Sequence, residues 1–410
     1  MTTELHHDVV IIGGGSAGIA TASSMLRRRP SLDLAIVEPR DDHYYQPGWT
    51  MVGAGVFEAP STRHSMSSVM PAGARWLRQA AVSFQPEANQ ITLADGSTVS
   101  YRVLIVAPGI RLAWEKIDGL EKTLGRNGVT SNYRYDLAPY TWELVQRLKA
   151  GRAIFSQPPM PIKCAGAPQK AMYLSCDSWE RRSVLGSIDV EFRNAGAALF
   201  GVKEYVPALM EYVEKYGIGV KLNQTLIAVD GPAGQATFKT PDGEETVGFD
   251  MLHAVPPQVA PSFVTDSPLA HEESGFVDVD KFTLQHVRYP NVFGVGDACS
   301  APNAKTAAAA RKQSPVAAVN ALAVLDGDTP VAQYDGYGSC PLTVARGKVV
   351  LAEFGYDGKL LPSFPRWVID STHPSRLAWL LKTEALPWIY WNGMLKGHEW
   401  LAKPQMRNAA

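Results

Sequence analysis

The sequence predicts an α/β protein built from two Rossmann-like, dinucleotide-binding-type domains, followed by a C-terminal amphipathic tail. Three observations carry this reading. An apolar β-branched run, Val9-Val10-Ile11-Ile12, leads straight into a glycine turn, Gly13-Gly14-Gly15-Ser16-Ala17-Gly18. A second alternation of helical and strand-like segments follows between residues 141 and 229, the pattern of a further parallel sheet. From about Pro341 the texture changes, with Trp379, Trp388, Trp391 and Trp400 set among Leu, Lys and Arg.

Composition narrows the function classes. The chain has 410 residues, 4 cysteines and a formal net charge of −1. That length allows two or three domains and a large core. The near-zero charge argues against nucleic acid as a partner. No apolar run is long enough for a transmembrane helix. The N-terminus shows neither a secretory signal nor an Arg-rich transit segment. A cytoplasmic protein of a prokaryote is expected, with a processed organellar protein left open. So few cysteines do not form a disulfide scaffold, and in a reducing compartment a persistent pair reads as catalytic.

Val9–Ile12 reads as a buried parallel strand. Residues 19–29 read as a helix, and 32–37 as a second strand ending at Glu38. Strand, glycine turn, helix, strand and acid form the first unit of a dinucleotide fold. Gly13 permits the tight turn, Gly15 lets the backbone approach a pyrophosphate, and Gly18 lets helix and strand pack. Amides near Ser16 and Ala17 are expected to face the phosphates, and Glu38 to accept ribose hydroxyls. Two later segments select FAD over NAD. Residues 103–109 form a strand ending in a small-residue turn at Gly109. Residues 291–298 form a strand ending in Gly296-Asp297, the motif that places an Asp on the ribityl chain in flavoproteins with two dinucleotide domains. A helix over 304–323 follows. Its start, Lys305-Thr306-Ala307-Ala308, is expected to aim backbone amides at the flavin. A solvated Lys305 side chain fits the sequence equally well.

The second domain is assigned to residues 126–287, the FAD domain to 1–125 with 288–330, and the tail region to 331–410. Helices are expected over 141–149, 167–182 and 203–216, and strands over 153–155, 188–192 and 220–229. No G-x-G-x-x-G follows either candidate first strand, and Gly196 and Gly201 lack the spacing. A working NAD site is therefore not expected. Where the phosphate loop is due, the chain reads Pro158-Pro159-Met160-Pro161-Ile162-Lys163-Cys164-Ala165-Gly166. A second lone cysteine, Cys340, lies in Gly338-Ser339-Cys340-Pro341. If the two meet beside a flavin, the chemistry is sulfur redox rather than hydride transfer. A reactive thiolate needs a lowered pKa. Lys163 and the N-terminus of the helix from Ala167 are the expected sources of positive charge. Cys164 is expected to face the flavin, and Cys340 to lie outside, open to a small sulfur nucleophile. Cys176 and Cys299 read as small buried hydrophobes.

The tail reads as two short amphipathic helices, interrupted at Pro387, suited to a membrane interface. A dimer interface or a cap on the core is the alternative.

Taken together, the chain resembles sulfide:quinone oxidoreductase, the two-cysteine type also found in mitochondria. The resemblance rests on Gly13–Gly18, Glu38-Pro39, His43-Tyr44-Tyr45-Gln46-Pro47, residues 162–170 (Ile-Lys-Cys-Ala-Gly-Ala-Pro-Gln-Lys), Gly296-Asp297, Lys305–Ala308 and residues 334–341 (Tyr-Asp-Gly-Tyr-Gly-Ser-Cys-Pro). It implies that FAD contacts Gln46 as well as Ser16, Ala17, Glu38, Asp297 and Lys305–Ala308, with no metal. It implies that Cys164 and Cys340 form the redox pair, joined by a disulfide or an extra sulfur. Sulfide is then oxidised to a persulfide, sulfur passes to an acceptor such as glutathione, sulfite or more sulfide, and electrons go to a ubiquinone-type membrane quinone. The location implied is peripheral, on the cytoplasmic face of a bacterial inner membrane. A homo-oligomer is left open. A type II NADH:quinone dehydrogenase, the flavin subunit of a sulfide dehydrogenase and a sulfide sensor are the rival readings.

Overall fold

A computed structural model describes residues 4–407. Two sheets form its frame, the first parallel at its centre with an antiparallel edge and the second wholly parallel. The first contains β1 (Glu4–Ile12), β2 (Leu34–Val37), β3 (Ala74–Leu77), β4 (Ala81–Gln85), β5 (Gln90–Leu93) and β6 (Thr98–Val106) in the order β3-β2-β1-β6-β5-β4, and a late strand, Val292–Gly294, pairs with β6. Val9 to Ile12 are buried on both faces, which explains an unbroken apolar run where a half-exposed strand would alternate. Helix α1 (Ser16–Arg28) follows β1 directly.

The second sheet contains β7 (Val129–Thr130), β8 (Gly151–Gln157), β9 (Ile188–Asn194), β10 (Gly219–Leu222) and β11 (Met251–His253) in the parallel order β7-β11-β8-β9-β10. Helices α2 (Ala138–Arg147), α3 (Ala167–Arg181) and α4 (Val206–Tyr216) accompany it. The strand expected over 220–229 is two strands. Asn223, at φ +57°, turns the chain out of β10, and Thr225–Asp230 joins a separate antiparallel sheet. Helix α5 (Ala307–Leu325) packs on α1.

After α5 the chain forms a hairpin, β12 (Gly338–Ala345) and β13 (Lys348–Phe354). Its inner face, with Cys340, Leu342, Val344, Val350 and Ala352, belongs to the core of the second sheet. The tail then crosses back to the first. It runs helically without interruption from Arg376 to Lys396, through wide i→i+5 turns over Leu381–Ala385 and Ile389–Gly393. The expected break at Pro387 is absent. Proline removes one backbone donor and crowds the preceding turn, and widened turns relieve that crowding. The run is half sunk into the protein: Tyr390, Met394 and Leu395 lie in the core of the first sheet. Among the described residues, no helix is long and apolar enough to cross a membrane.

Candidate active site

Four separated pieces of chain converge on the site. The glycine turn comes first. Gly13 has φ +101°, and a Cβ there would lie 2.4 Å from the Ala107 carbonyl oxygen. A Cβ on Gly18 would lie 1.8 Å from the Gly13 oxygen, whereas one on Gly15 would meet nothing within 4 Å. Two glycines therefore close the turn and the third leaves its backbone open, the arrangement an approaching diphosphate needs. Glu38 is buried at the end of β2 and accepts from the Gly14 amide at 2.8 Å and the Arg40 amide at 2.9 Å. Gly109 has φ +81°, with open space beside it.

The second piece is the Gly296-Asp297 turn and the start of α5. Lys305 is buried, not solvated: its Nζ donates to the carbonyl oxygens of Asp297 (2.9 Å) and Cys299 (2.8 Å). It fixes the turn that presents the Asp297 carboxylate, whose pKa burial raises. Thr306 caps α5 by accepting from the Ala309 amide, so the backbone of Ala307 and Ala308 opens the helix.

The third piece is the cysteine loop between β8 and α3. The Cys164 amide donates to the Lys305 carbonyl at 2.8 Å. Tyr133 Oη donates to the carbonyls of Lys163 (3.0 Å) and Cys164 (3.2 Å), and Gln258 Oε1 accepts from the Lys163 amide. These bonds hold the thiol-bearing loop against the start of α5. Cys164 itself has φ +50°, in the left-handed region, which costs a non-glycine residue about 1 kcal/mol or more.

The hairpin brings in the partner thiol. The Sγ atoms of Cys164 and Cys340 are 3.4 Å apart. Gly166 permits this approach, because a Cβ there would lie 2.6 Å from Cys340 Sγ and 2.3 Å from Leu342 Cδ2. Lys170 Nζ, one turn into α3, lies 3.0 Å from Cys164 Sγ and 3.8 Å from Cys340 Sγ. The hydrogen bond from Cys340, then the charge of Lys170, hold the Cys164 thiol well below its usual range against the cost of burial. Cys340 is pushed up by the same hydrogen bond and by burial. Cys164 is therefore the thiolate and Cys340 the thiol that donates to it.

Two expectations fail here. Lys163 does not serve Cys164, because its Nζ turns to Gln46 Oε1 at 2.7 Å; Lys170 holds that place. Nor is Cys340 an open outer thiol: it is 2% exposed, and Cys164 is the more accessible sulfur. Cys176 and Cys299 are fully buried, each with its thiol raised by burial. Sequence reading also missed Lys382, which the tail buries at 3% exposed. Burial, then the charge of Lys170, lower its ammonium to about 7, opposed by both thiols. No spacing rule could have found it, since a lysine in an amphipathic run reads as solvated. Lys170 could have been found, since it stands in the same short motif as Cys164.

The likeness to known proteins is extensive. A family model described as pyridine nucleotide-disulphide oxidoreductase matches residues 7–141. The chain is 40% identical over 402 residues to the mitochondrial sulfide:quinone oxidoreductase of Dictyostelium discoideum, covering 98% of this chain and 88% of that protein. The chain belongs to the sulfide:quinone oxidoreductase family. The mitochondrial member from Mus musculus is also 40% identical, over 97% of this chain and 88% of its own length. The solved structure of the sulfide:quinone oxidoreductase from Aquifex aeolicus superposes with a TM-score of 0.80 at 18% identity, over 99% of this chain and 98% of that one. Like its family, the chain is a flavin-dependent oxidoreductase with FAD as cofactor, and the open backbone at Gly15 with Glu38 beside it fits the dinucleotide.

Proposed function

We propose that the chain oxidises sulfide by two electrons at a Cys164–Cys340 sulfur centre and passes the electrons through FAD to a membrane quinone. One observation supports this best: two lone thiols from distant parts of the chain lie 3.4 Å apart beside a buried ammonium. An S–S bond is about 2.05 Å long, so a small movement joins them. Two such bonds meeting at one sulfur span about 3.3 Å, so an added sulfur also fits between them.

In the proposed cycle, hydrosulfide attacks the bridge at Cys340. A new S–S bond forms there, the bond to Cys164 breaks, and Cys164 leaves as a thiolate stabilised by Lys170. The outer sulfur of the Cys340 persulfide passes to a sulfur nucleophile, leaving a second thiolate. Re-forming the bridge from two thiolates releases two electrons. FAD, when bound, accepts this pair and delivers it to the quinone. The burial of Cys340 favours a first nucleophile as small as hydrosulfide. It also favours sulfite or further sulfide over glutathione as acceptor. Gly13, Gly15, Ser16, Ala17, Gly18, Glu38 and Gly109 are assigned to the nucleotide half of FAD. Gln46, Asp297 and Lys305–Ala308 are assigned to the flavin half.

A dinucleotide site in the second domain, proposed as residues 126–287, is not part of the reading. The space beside Gly166 at the start of α3 is filled by Cys340 and Leu342 of the hairpin. The FAD domain is proposed as 1–125 with 288–330, and the tail region as 331–410, of which 408–410 lie outside the described residues. Peripheral attachment to the cytoplasmic face of a bacterial inner membrane is proposed through exposed apolar side chains, Trp367, Leu377, Leu380, Trp388, Trp400 and Leu401. Vesicle sedimentation tests this: Leu380→Glu with Trp388→Glu should abolish binding. Anaerobic titration tests the chemistry. Sulfide should reduce the flavin in the native protein and fail in Cys164→Ser, and NADH should leave it oxidised. Rapid bleaching by NADH alone would favour the NADH:quinone dehydrogenase reading.

A further inference from the structure

The helical run of the tail does something neither sulfur chemistry nor membrane attachment requires. It places Tyr390, fully enclosed, on the glycine turn of the first sheet. Tyr390 Oη lies 2.7 Å from Ser16 Oγ and 2.7 Å from His43 Nε2. His43 Nδ1 lies 3.0 Å from the Gly14 carbonyl oxygen. The Tyr44 carbonyl, at 3.4 Å, is a more distant acceptor for the same hydroxyl.

The chemistry of these groups fixes the direction of each bond. Burial keeps His43 neutral, with its pKa lowered to about 4, so the ring carries one N–H. A carbonyl oxygen only accepts, so that proton is on Nδ1 and points at Gly14. Nε2 therefore accepts, and the Tyr390 hydroxyl donates to it. The phenol oxygen is left to accept from Ser16. The chain runs Ser16 to Tyr390 to His43 to the Gly14 carbonyl. Both ends lie in the turn that presents open backbone at Gly15. The Ser16 proton is thus committed inward, and a diphosphate at this turn meets the amides of α1 rather than the hydroxyl.

We propose that Tyr390 is a positioning residue for the dinucleotide turn, so that seating of the C-terminal helical run governs how tightly the protein holds FAD. This rests on the assignment of the glycine turn to FAD. The run is anchored beyond Tyr390 as well: Ser23 Oγ donates to the Leu395 carbonyl, and Arg28 pairs with Glu399. Both contacts are made on α1, the helix whose N-terminus carries the amides. Tyr390 touches no cofactor atom in this account. It acts by holding Gly14, Gly15 and Ser16 in the conformation that receives the diphosphate.

The test uses the full-length holoprotein. FAD is removed and rebound, and its dissociation constant is measured by quenching of flavin fluorescence for the native chain, Tyr390→Phe, Ser16→Ala and the double variant. Losing one buried hydrogen bond at the turn should weaken FAD binding about ten-fold. The double variant should be little worse than either single one, because both break the same chain of bonds. Hydrogen exchange supplies the second readout. FAD should slow exchange over residues 381–396 in the native protein and lose that effect in Tyr390→Phe, since linkage is reciprocal. Unchanged FAD affinity in a folded Tyr390→Phe protein would overturn the proposal. So would an equal fall in the melting temperature of the FAD-free and FAD-bound forms, which marks a purely structural hydroxyl. Native protein that takes up no FAD at all would instead overturn the assignment of the turn.

Discussion

Replacing Lys170 with methionine isolates the electrostatic origin of the Cys164 thiolate. Methionine keeps the length of the chain in a buried site and removes the charge. In the native protein the ammonium lies 3.0 Å from Cys164 Sγ. Unit charges at that distance interact by about 5 kcal/mol at an effective dielectric of 20. This is an upper bound, because Lys382 and water can take up part of the lost charge. The hydrogen bond from Cys340, the larger cause of the shift, survives the substitution. The Cys164 thiol is therefore expected to rise toward its ordinary range in Lys170→Met, by less than the full interaction with the ammonium. The assay is the rate of Cys164 alkylation by iodoacetamide as a function of pH, read by peptide mass spectrometry under reducing conditions. The native thiol should react well into the acid range, the Lys170→Met thiol only toward alkaline pH, and Lys170→Arg should behave as the native protein does. An unchanged midpoint in Lys170→Met would refute the reasoning and leave the hydrogen bond from Cys340 as the whole cause.

Other outcomes follow from the same geometry. Competitive acetylation should give Lys382 a midpoint near 7; Lys170→Met should raise it by removing a like charge, and Cys164→Ala should lower it, whereas a midpoint in the ordinary lysine range would contradict the buried placement. Gly166→Ala should drive a Cβ into Cys340 and Leu342, separating the thiols and slowing flavin reduction by sulfide at least ten-fold while the flavin spectrum is retained; native rates would show that the hairpin yields at no cost. His43 is held at about 4 in the folded chain against an ordinary 6.5. Between those values the unfolded state binds the extra proton, so stability falls as pH drops from 6.5 to 4, by about 3 kcal/mol from this residue at full extent. His43→Gln should flatten that part of the acid slope in denaturant titrations, with His253, also held near 4, and His286, lowered by burial, contributing to what remains; an unaltered slope would mean that His43 is charged in the folded protein.

What could be read in advance was what local backbone chemistry determines. Gly13, Gly15 and Gly18 declare a turn because only their spacing satisfies strand, helix and open backbone together. Cys164 stands out because a thiol and three prolines occupy the place of a glycine loop. Charge supply was misread because adjacency along a chain is not adjacency in space. Lys163 precedes Cys164 but points to Gln46, while Lys170 comes back to the sulfur from the first turns of α3. Lys382 and Tyr390 were invisible for a different reason. Their partners are set by where the tail docks, and an amphipathic pattern reports that one face is apolar without naming what it meets. The unbroken path through Pro387 was likewise hidden, since widened turns leave no mark in composition.

The left-handed backbone at Cys164 carries one further consequence. Glycine or asparagine would rest more easily at φ +50°, so the most comfortable residues for that bend are ones without sulfur. Random drift toward a sturdier molecule would tend to erase the reactive group, and only selection for turnover opposes it. A library sorted for heat resistance alone should therefore accumulate inert variants at position 164, in which durability and chemistry part company.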